Sequence, residues 1–418
     1  MNFLDQANEM DQRRTIVHMD LDTFFVSCER LIDSRLNNRP IIIGGTTDRG
    51  VVASCSYEAR MYGVHSAMPI KMAKERCPEA IIIRGNADNY TRFSRNVTEI
   101  IKEASPTYEK SSIDEFYLDL SGMDKHFGCL HYTSELRQKI MRETGLPISF
   151  GLSSNKTVSK IATGEAKPNN EKYVDAGTEK LFLSPLSVQK IPMVGLKTYQ
   201  MLCSLGAKKI ATIQEMPVEL MENLMGKHGI AIWKKANGID LSPVRPYNEN
   251  KSISTERTFD SDTTDALKLK SIIRAMAENT AFQLRKKQKV TACVTVKIRY
   301  ADFQTKTIQQ RIPYTAADHE IIQTVSELFD KLFTRRLLVR LVGIRLSDLV
   351  TGNHQMRLFE ENDRYASLYR VMDQIRMRYG EQALIRADGM QILNGRKYKS
   401  RMSEPAQQPH SITNLLPF

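Results

Sequence analysis

The sequence lacks an apolar span, a signal peptide and paired cysteines, and each absence excludes a class of protein. No apolar run approaches the roughly 20 residues that a membrane-spanning helix requires, and the polar segment 1–14 lacks the apolar core of a signal peptide. The six cysteines show no Cys-x-x-Cys spacing, which argues against a zinc site or a disulfide framework. We therefore expect a cytoplasmic protein without a membrane segment, whose cysteines are buried and reduced.

The composition that is present describes a basic globular protein. The 418 residues are 41% hydrophobic and 26% charged, which is ordinary for folded domains, and the length allows two to four of them. The 60 Lys and Arg outnumber the 48 Asp and Glu, so the net charge is +12 and the pI about 9.3. This excess favours a polyanionic partner, most simply nucleic acid, with an anionic membrane as the alternative.

Two acidic segments adjoin apolar residues of strand type. Asp20 ends the run 16–19, and Asp114 and Glu115 precede Phe116–Leu118. Carboxylates that converge beside buried residues repel one another unless a hard divalent cation lies between them, and two such cations are the usual machinery of nucleotidyl transfer.

A solvated turn is the simpler interpretation of one Asp-Glu pair. Consecutive strand residues also point to opposite faces. A shared site therefore requires a hairpin turn near residues 110–112, which the small polar residues there permit.

The periodicity of the chain changes twice. To about residue 175, short apolar runs alternate with helical patterns, which predicts mixed strands and helices. Residues 176–245 predict short helices joined by glycine turns. Such a turn can bind a phosphate through backbone N–H groups, or the helices can simply pack as a hairpin.

The segment 252–348 predicts strands and helices in the order βαββαβ, as in a split-βαβ domain with one open sheet face. Lys297, Arg299 and Arg345 lie on that face. Their charges suit the phosphate backbone of a nucleic acid, although a merely solvated face is the alternative. A short helix is predicted between residues 365 and 375, and 390–418 is predicted to be disordered.

Five segments in order resemble the motifs of the Y-family (translesion) DNA polymerases, with the DNA polymerase IV branch as the nearest likeness. They are HMDLDTFFVSCE (18–29), VASCSYEAR (52–60), SIDEFYLD (112–119), GLSSNK (151–156) and KSISTERTF (251–259). The resemblance spans roughly residues 14–350. It implies an α+β right-hand polymerase with a ferredoxin-like palm, small fingers, a helical thumb with helix-hairpin-helix units and a split-βαβ little-finger domain. The implied bounds are 1–23 and 86–175 for the palm, 24–85 for the fingers, 176–245 for the thumb, 246–252 for a linker, 253–350 for the little finger and 351–418 for a tail.

The resemblance also implies a site for two Mg²⁺ ions. Its ligands would be the carboxylates of Asp20, Asp114 and Glu115, which are the implied catalytic residues, and the main-chain carbonyl of Leu21. The implied nucleotide-binding residues are Thr23, Phe24, Phe25, Ser54, Tyr57, Arg60 and Lys167. Among these, Phe25 resembles a steric gate that leaves no room for a 2′-hydroxyl, with a core aromatic as the alternative.

Contacts to DNA and to a partner protein are implied outside the palm. Gly195 and Lys197 of the first thumb hairpin, with the three cations of the open sheet face, are the implied DNA contacts. Met193 occupies a hairpin position where the family usually has Gly, which weakens that assignment. Gln355, Leu358 and Phe359 resemble the peptide that binds a sliding clamp (the beta subunit) in bacterial polymerases.

The implied activity is template-directed addition of deoxynucleotides to a primer 3′ end. It would proceed with low fidelity, past damaged template bases and without proofreading, in a monomer that binds primer-template DNA, a dNTP and the clamp. One alternative is a catalytically silent scaffold that binds DNA and clamp. Another is a different two-metal enzyme on a palm-like sheet, such as a nucleotide cyclase.

Overall fold

The computed structural model describes residues 14–123, 128–246, 249–335, 337–352, 362–381 and 383–386. The chain divides into two compact units between residues 248 and 249.

The first unit combines strands and helices. Its strands are β1 (Ile16–Leu21), β2 (Ile41–Gly44), β3 (Val52–Cys55), β4 (Ile81–Ile83), β5 (Tyr108–Lys110), β6 (Glu115–Asp119), β7 (Ile148–Ser153) and β8 (Glu171–Tyr173). Its helices are α1 (Phe24–Ile32), α2 (Tyr57–Met61), α3 (Ile70–Arg76), α4 (Ala87–Ala104), α5 (Cys129–Thr144), α6 (Lys156–Ala166), α7 (Glu179–Leu183), α8 (Leu196–Ser204), α9 (Ile210–Glu215), α10 (Val218–Met225) and α11 (Lys227–Ala236). The predicted mixed segment and the helical segment that follows it are both confirmed.

Five strands form the central sheet, in the order β5-β6-β1-β7-β8. β1 lies antiparallel between β6 and β7, and the β7–β8 pair is parallel. Residues of β1, β6 and β7 that face helices α1, α4 and α5 build the main core, including Met19, Phe116 and Phe150. Because β1 is central and buried, it reads as a nearly continuous apolar run that ends at Asp20.

The small sheet has the order β3-β2-β4 and a core of its own. The helical segment 179–236 likewise has a separate core. There, Gly226 joins α10 to α11 at φ 60°, a conformation that a side chain would disfavour. Met193, in the turn before α8, adopts φ 84°. Glycine usually fills such a position, so this chain keeps the backbone of a glycine turn with a methionine.

The second unit contains β9 (Ser252–Thr263), α12 (Ala266–Lys286), β10 (Lys289–Tyr300), β11 (Thr305–Thr315), α13 (Asp318–Leu332), β12 (Val339–Thr351) and α14 (Asn362–Tyr379). The predicted βαββαβ order and the helix beyond it are confirmed. The C-terminal sheet has the order β11-β10-β12-β9. Its buried face packs against α12 and α13. Helix α14 is held to α12 by an ion pair of 2.7 Å between Arg285 Nε and Asp373 Oδ2.

All six cysteines lie in the described part of the chain and are present as thiols. Five are buried, and Cys203 on α8 is partly exposed, as the expectation of reduced, largely buried cysteines requires. Among the residues described, no helix combines the length and the apolarity needed to cross a bilayer.

Candidate active site on the central sheet

The structure brings the three predicted acidic residues to the same end of the central sheet. Asp20 on β1 lies directly opposite Glu115 on β6, and opposite residues of an antiparallel pair share a face with Cβ atoms about 5 Å apart. Asp114 lies in the turn before β6, where its carbonyl accepts a hydrogen bond of 3.0 Å from the N–H of Leu21. Three acidic residues that are distant in sequence therefore meet at one end of the sheet.

A hairpin turn between β5 and β6 makes this arrangement possible. The backbone N–H of Ser111 donates to the carbonyl of Glu115 over 3.1 Å. The Ser112 hydroxyl accepts from the N–H of Glu115 over 3.1 Å and contacts the carboxylate of Asp114. The turn that the sequence required is thus confirmed, and it releases Asp114 from the strand alternation that would turn it away from its neighbour.

The carboxylates form an anionic cluster that the protein itself only partly neutralises. The pKa of Asp20 is raised to about 6, mainly by burial and to a smaller extent by the negative charges of Glu115 and Asp114, while Lys167 acts in the opposite direction. Such a shift means that the charged form of Asp20 is disfavoured in its present surroundings. A divalent cation would relieve that penalty.

Two lysines contact the carboxylates. Lys167 Nζ lies 2.6 Å from Asp20 Oδ1 and 3.7 Å from Asp22 Oδ1. Lys160 Nζ lies 2.6 Å from Glu115 Oε1. The sequence assigned Lys167 to the nucleotide and gave Lys160, which belongs to the same family motif, no role of its own. The sequence did contain a signal for Lys160. It lies four residues after Lys156, which contacts the carboxylate of Glu109, and residues four apart share a helix face.

Helix α6 carries Lys156 and Lys160, ends just before Lys167, and lies close to the sheet. The Ser159 hydroxyl donates to the Ile16 carbonyl over 2.8 Å, and the Thr163 hydroxyl donates to the His18 carbonyl over 2.9 Å. Gly151 on β7 permits this approach, since a Cβ there would lie 2.3 Å from the Ser159 carbonyl oxygen and 2.5 Å from the Thr163 nitrogen. Any larger residue would push α6 outward.

Two buried polar residues support the site and were not assigned from the sequence. His18 is fully buried, with Nδ1 2.9 Å from the Thr163 hydroxyl, and burial lowers its pKa, with nearby lysines acting in the same direction. Asp22 is also buried, and its Oδ2 accepts from the Ser149 hydroxyl over 2.8 Å and from the Asn169 N–H over 2.6 Å. Asp22 therefore holds the chain just beyond Lys167 against the sheet.

The donor set fits a hard divalent cation. In the part of the chain that the structure describes, no three His, Cys, Asp or Glu side chains stand together as a ready-formed metal site, and Asp20 and Glu115 are engaged by lysines. The available donors are nevertheless carboxylate oxygens, with the Leu21 carbonyl beside them. This is the chemistry that Mg²⁺ prefers, and the raised pKa of Asp20 marks the place where positive charge is lacking.

The start of helix α1 lies next to these carboxylates in the chain. Thr23 precedes the helix at φ 43°, and Phe24 is buried in the main core. Phe25 is only partly buried, and its ring stacks on Tyr90 with centroids 4.4 Å apart and planes 15° apart. The Tyr90 hydroxyl in turn donates to Glu29 over 2.6 Å. The stack on Tyr90 therefore fixes the orientation of the Phe25 ring, while part of the side chain stays exposed. These surroundings are compatible with a steric gate and with a core aromatic.

The small sheet and helix α2 carry the other expected nucleotide-binding residues. Ser54 is a half-buried residue of β3. Tyr57 and the exposed Arg60 share α2, with Arg60 Cζ 5.1 Å from the Tyr57 ring centroid. The Tyr57 hydroxyl is buried without a hydrogen-bond partner. Burial raises the pKa of Tyr57, and the negative charges of Asp22 and Asp20 raise it further, so the phenol lies within electrostatic reach of the acidic site.

The expected DNA contacts differ in their surroundings. Gly195 precedes α8 and Lys197 lies exposed in its first turn, next to the 60%-exposed Met193. On the C-terminal sheet, Lys297 is neutralised by Glu256 at 2.7 Å. This contact reaches across Gly343 of the intervening strand, where a Cβ would lie 2.8 Å from Glu256 Cγ.

The other two expected DNA contacts on that sheet, Arg299 and Arg345, are less restrained by acidic side chains than Lys297 is. Arg299 Nε donates to the Thr305 hydroxyl over 2.9 Å, and Arg345 is exposed opposite Thr295. The residues expected to bind a clamp (Gln355, Leu358 and Phe359) and the segment 390–418 lie outside the described residues.

Comparison with known proteins identifies the family. The impB/mucB/samB family model matches residues 19–164, and the model of that family's C-terminal domain matches residues 250–358. A DNA polymerase IV of Dehalococcoides mccartyi is 38% identical over 371 residues, which cover 88% of this chain and 95% of that protein. The chain belongs to the impB/mucB/samB family of Y-family DNA polymerases.

Other members of the Y family agree with this assignment. A DNA polymerase IV of Treponema denticola is 32% identical over 381 residues, covering 90% of this chain and 96% of that protein. The solved structure of a Y-family DNA polymerase chimera has a TM-score of 0.71 and 23% identity, over 81% of this chain and 100% of the chimera. At that identity the similarity concerns the fold, and it confirms the predicted α+β right-hand polymerase with palm, fingers, thumb and little finger. The residue bounds of those domains stay a prediction.

Proposed function

We propose that this protein is a DNA-directed DNA polymerase that adds deoxynucleotides to a primer 3′ end by two-metal nucleotidyl transfer. The observation that carries the proposal is the register of β1 and β6, which sets Asp20 opposite Glu115 with Asp114 in the adjoining turn. Membership of the family, whose relatives are named DNA polymerase IV, supports the choice of DNA synthesis over other two-metal reactions.

Asp20, Asp114, Glu115 and the carbonyl of Leu21 would hold two Mg²⁺ ions. When bound, these ions would activate the primer 3′-hydroxyl and neutralise the charge of the departing pyrophosphate. The protein's own contribution is to fix the three carboxylates on one side of a rigid sheet, because a preorganised site loses little free energy to rearrangement during the reaction.

The nucleotide would lie between the central sheet and helix α2. Tyr57 and Arg60 would donate to the triphosphate oxygens, and Ser54 and the backbone N–H groups of Thr23 and Phe24 would add further donors. Lys167 would supply a point charge. Phe25 would sit beneath the sugar, where its ring, supported by the stack on Tyr90, would exclude a 2′-hydroxyl.

The finer functional assignments are also part of this proposal. We infer low fidelity and bypass of damaged template bases, since the small sheet and its helices offer few side chains to check the new base pair. The basic face of the C-terminal sheet and the exposed first turn of α8 would bind the DNA backbone. Absence of proofreading, the monomeric state and the cytoplasmic location remain predictions from the sequence.

Primer extension on undamaged and adducted templates tests the activity directly. We expect Mg²⁺-dependent extension on both templates. At the lesion, this protein should stall less than a replicative polymerase does. A chain that binds primer-template DNA but never extends it would match the scaffold alternative. Formation of a cyclic nucleotide without a primer would match the cyclase alternative.

The clamp contact needs a separate experiment. Replacing Gln355, Leu358 and Phe359 together by alanine should remove stimulation by the sliding clamp and leave synthesis without the clamp unchanged. The physical reason is that Leu and Phe side chains would fill an apolar pocket on the clamp. Equal stimulation of the variant would exclude this peptide as the contact.

A further inference from the structure

Helix α6 provides a counter-ion for a carboxylate that is expected to bind metal. The 2.6 Å contact between Lys160 Nζ and Glu115 Oε1 joins side chains that are only 34% and 24% exposed. Partly shielded, charge-assisted hydrogen bonds of this length are stronger than those at an open surface. The ammonium group is therefore already bound to one of the carboxylate oxygen atoms that a divalent cation would need as a ligand.

The helix backbone cannot move away easily when a cation arrives. Ser159 and Thr163, on either side of Lys160 in the sequence, are hydrogen-bonded to carbonyls of β1. Gly151 lets the helix backbone lie against β7 without an intervening side chain. Since the helix is fixed in this way, the contact opens by rotation of the Lys160 or Glu115 side chain rather than by movement of α6.

We propose that Lys160 competes with a divalent cation for Glu115, and that the nucleotide's triphosphate favours metal binding by giving the displaced ammonium group another anionic partner. The inference rests on the proposed two-metal site and adds a residue to which that function assigns no role. Lys167 likewise pairs with a carboxylate of the cluster, because its Nζ lies 2.6 Å from Asp20. Lys167, however, already belongs to the expected nucleotide site.

The proposal makes metal and nucleotide binding interdependent. If the triphosphate draws Lys160 off Glu115, nucleotide raises the affinity for the metal, and by linkage the metal raises the affinity for nucleotide by the same factor. A neutral side chain at position 160 would reduce this coupling, because Glu115 would already be accessible before nucleotide arrives.

Binding of Mn²⁺ to the full chain, followed by the electron paramagnetic resonance of the free ion, tests this without any turnover. Lys160→Met should bind Mn²⁺ about tenfold more tightly than the wild type when nucleotide is absent, the effect of one charge-assisted hydrogen bond. Addition of a non-hydrolysable dNTP should then raise its Mn²⁺ affinity by a factor about tenfold smaller than in the wild type. Lys160→Arg, which keeps the charge, should stay within about twofold of the wild type.

Lys190→Met is the matched control. Lys190, which lies outside α6, forms a 2.9 Å pair with Glu165 of α6, a carboxylate that is not among the proposed metal ligands, so its loss should leave Mn²⁺ binding unchanged. Thermal unfolding of each variant establishes that it folds, and Lys160→Gln serves as the second neutral variant if Lys160→Met does not.

The Glu115→Gln variant distinguishes a failure of the Lys160 proposal from a failure of the proposed metal site. If Glu115→Gln weakens Mn²⁺ binding and Lys160→Met leaves it unchanged or weaker, the competition is refuted while the metal site stands. If Glu115→Gln has no effect on Mn²⁺ binding, the proposed metal site itself is wrong and the role of Lys160 is refuted with it.

Discussion

The central sheet and the C-terminal sheet differ in how far their charged side chains are exposed and in what those side chains contact. On the central sheet, Asp20 and Glu115 are largely shielded and each contacts a lysine. On the C-terminal sheet, Arg345 is exposed and Arg299 contacts the Thr305 hydroxyl of β11. The first arrangement suits chemistry, which needs charges held in fixed positions. The second suits a polymer backbone, which needs accessible charge and little positional precision.

The largest effect is expected from the chemical side of this comparison. Asp114→Ala should lower the rate of primer extension by at least about 10³-fold, because metal ligation contributes several kcal/mol to transition-state stabilisation. Affinity for primer-template DNA should stay near that of the wild type. Asp119→Asn, at the other end of β6, is the control in the rate assay, and extension by Asp114→Ala at the wild-type rate would remove this residue from the active site.

Sugar selection gives the next effect. Phe25→Ala should reduce the preference for dNTP over rNTP, measured as the ratio of kcat/KM values, by about 10- to 200-fold, the range for removing a steric contact in a pocket. Phe25→Tyr keeps the ring and should preserve the preference. If the ratio is the same in all three proteins, Phe25 is a core aromatic rather than a gate.

The close approach of α6 to the central sheet should appear in stability. Gly151→Ala should lower the free energy of unfolding by about 1–3 kcal/mol, since the new methyl group overlaps the α6 backbone. Gly164→Ala, on the same helix with open space around it, should instead raise it by about 0.5–1 kcal/mol. Urea denaturation measures both. Equal shifts would mean that α6 adjusts freely and that the packing at Gly151 is not tight.

The smallest effects belong to the C-terminal sheet, one charge at a time. Arg345→Ala should reduce the slope of log affinity for DNA against log salt by about 0.9, the value for one phosphate contact. Lys297→Ala should change the slope less, because Glu256 already neutralises this side chain. Glu256→Gln should strengthen binding. Binding titrations at several salt concentrations give these slopes, and a wild-type affinity that does not vary with salt would contradict the assignment of this face to DNA.

The same contrast explains what the sequence could predict. The C-terminal sheet alternates apolar and polar residues along β10, from Val290 to Tyr300, and the βαββαβ order predicted for this segment is the one in the structure. The meeting of Asp20 with Asp114 and Glu115 was predictable only because the chain resembles a known family. Their pairing depends on the register of β1 and β6, which joins residues nearly a hundred positions apart and leaves no periodic signal.

The supporting residues of the site were beyond prediction for a related reason. His18 and Asp22 resemble ordinary strand and turn residues in the sequence, and their roles arise from partners such as Thr163 and Ser149 on other elements. The contact between Lys160 and Glu115 likewise depends on how closely α6 approaches the sheet. Such long-range polar contacts follow from the assembled fold, whereas periodicity describes only the nearest neighbours along the chain.

The distribution of the thiols has a practical consequence. Five cysteines are buried and Cys203, on helix α8, is partly exposed. A maleimide dye added to the native chain should therefore attach mainly to this helix, near its C-terminal end. Fluorescence from that single dye would follow the thumb as it engages a primer-template duplex, with no cysteine removed or introduced.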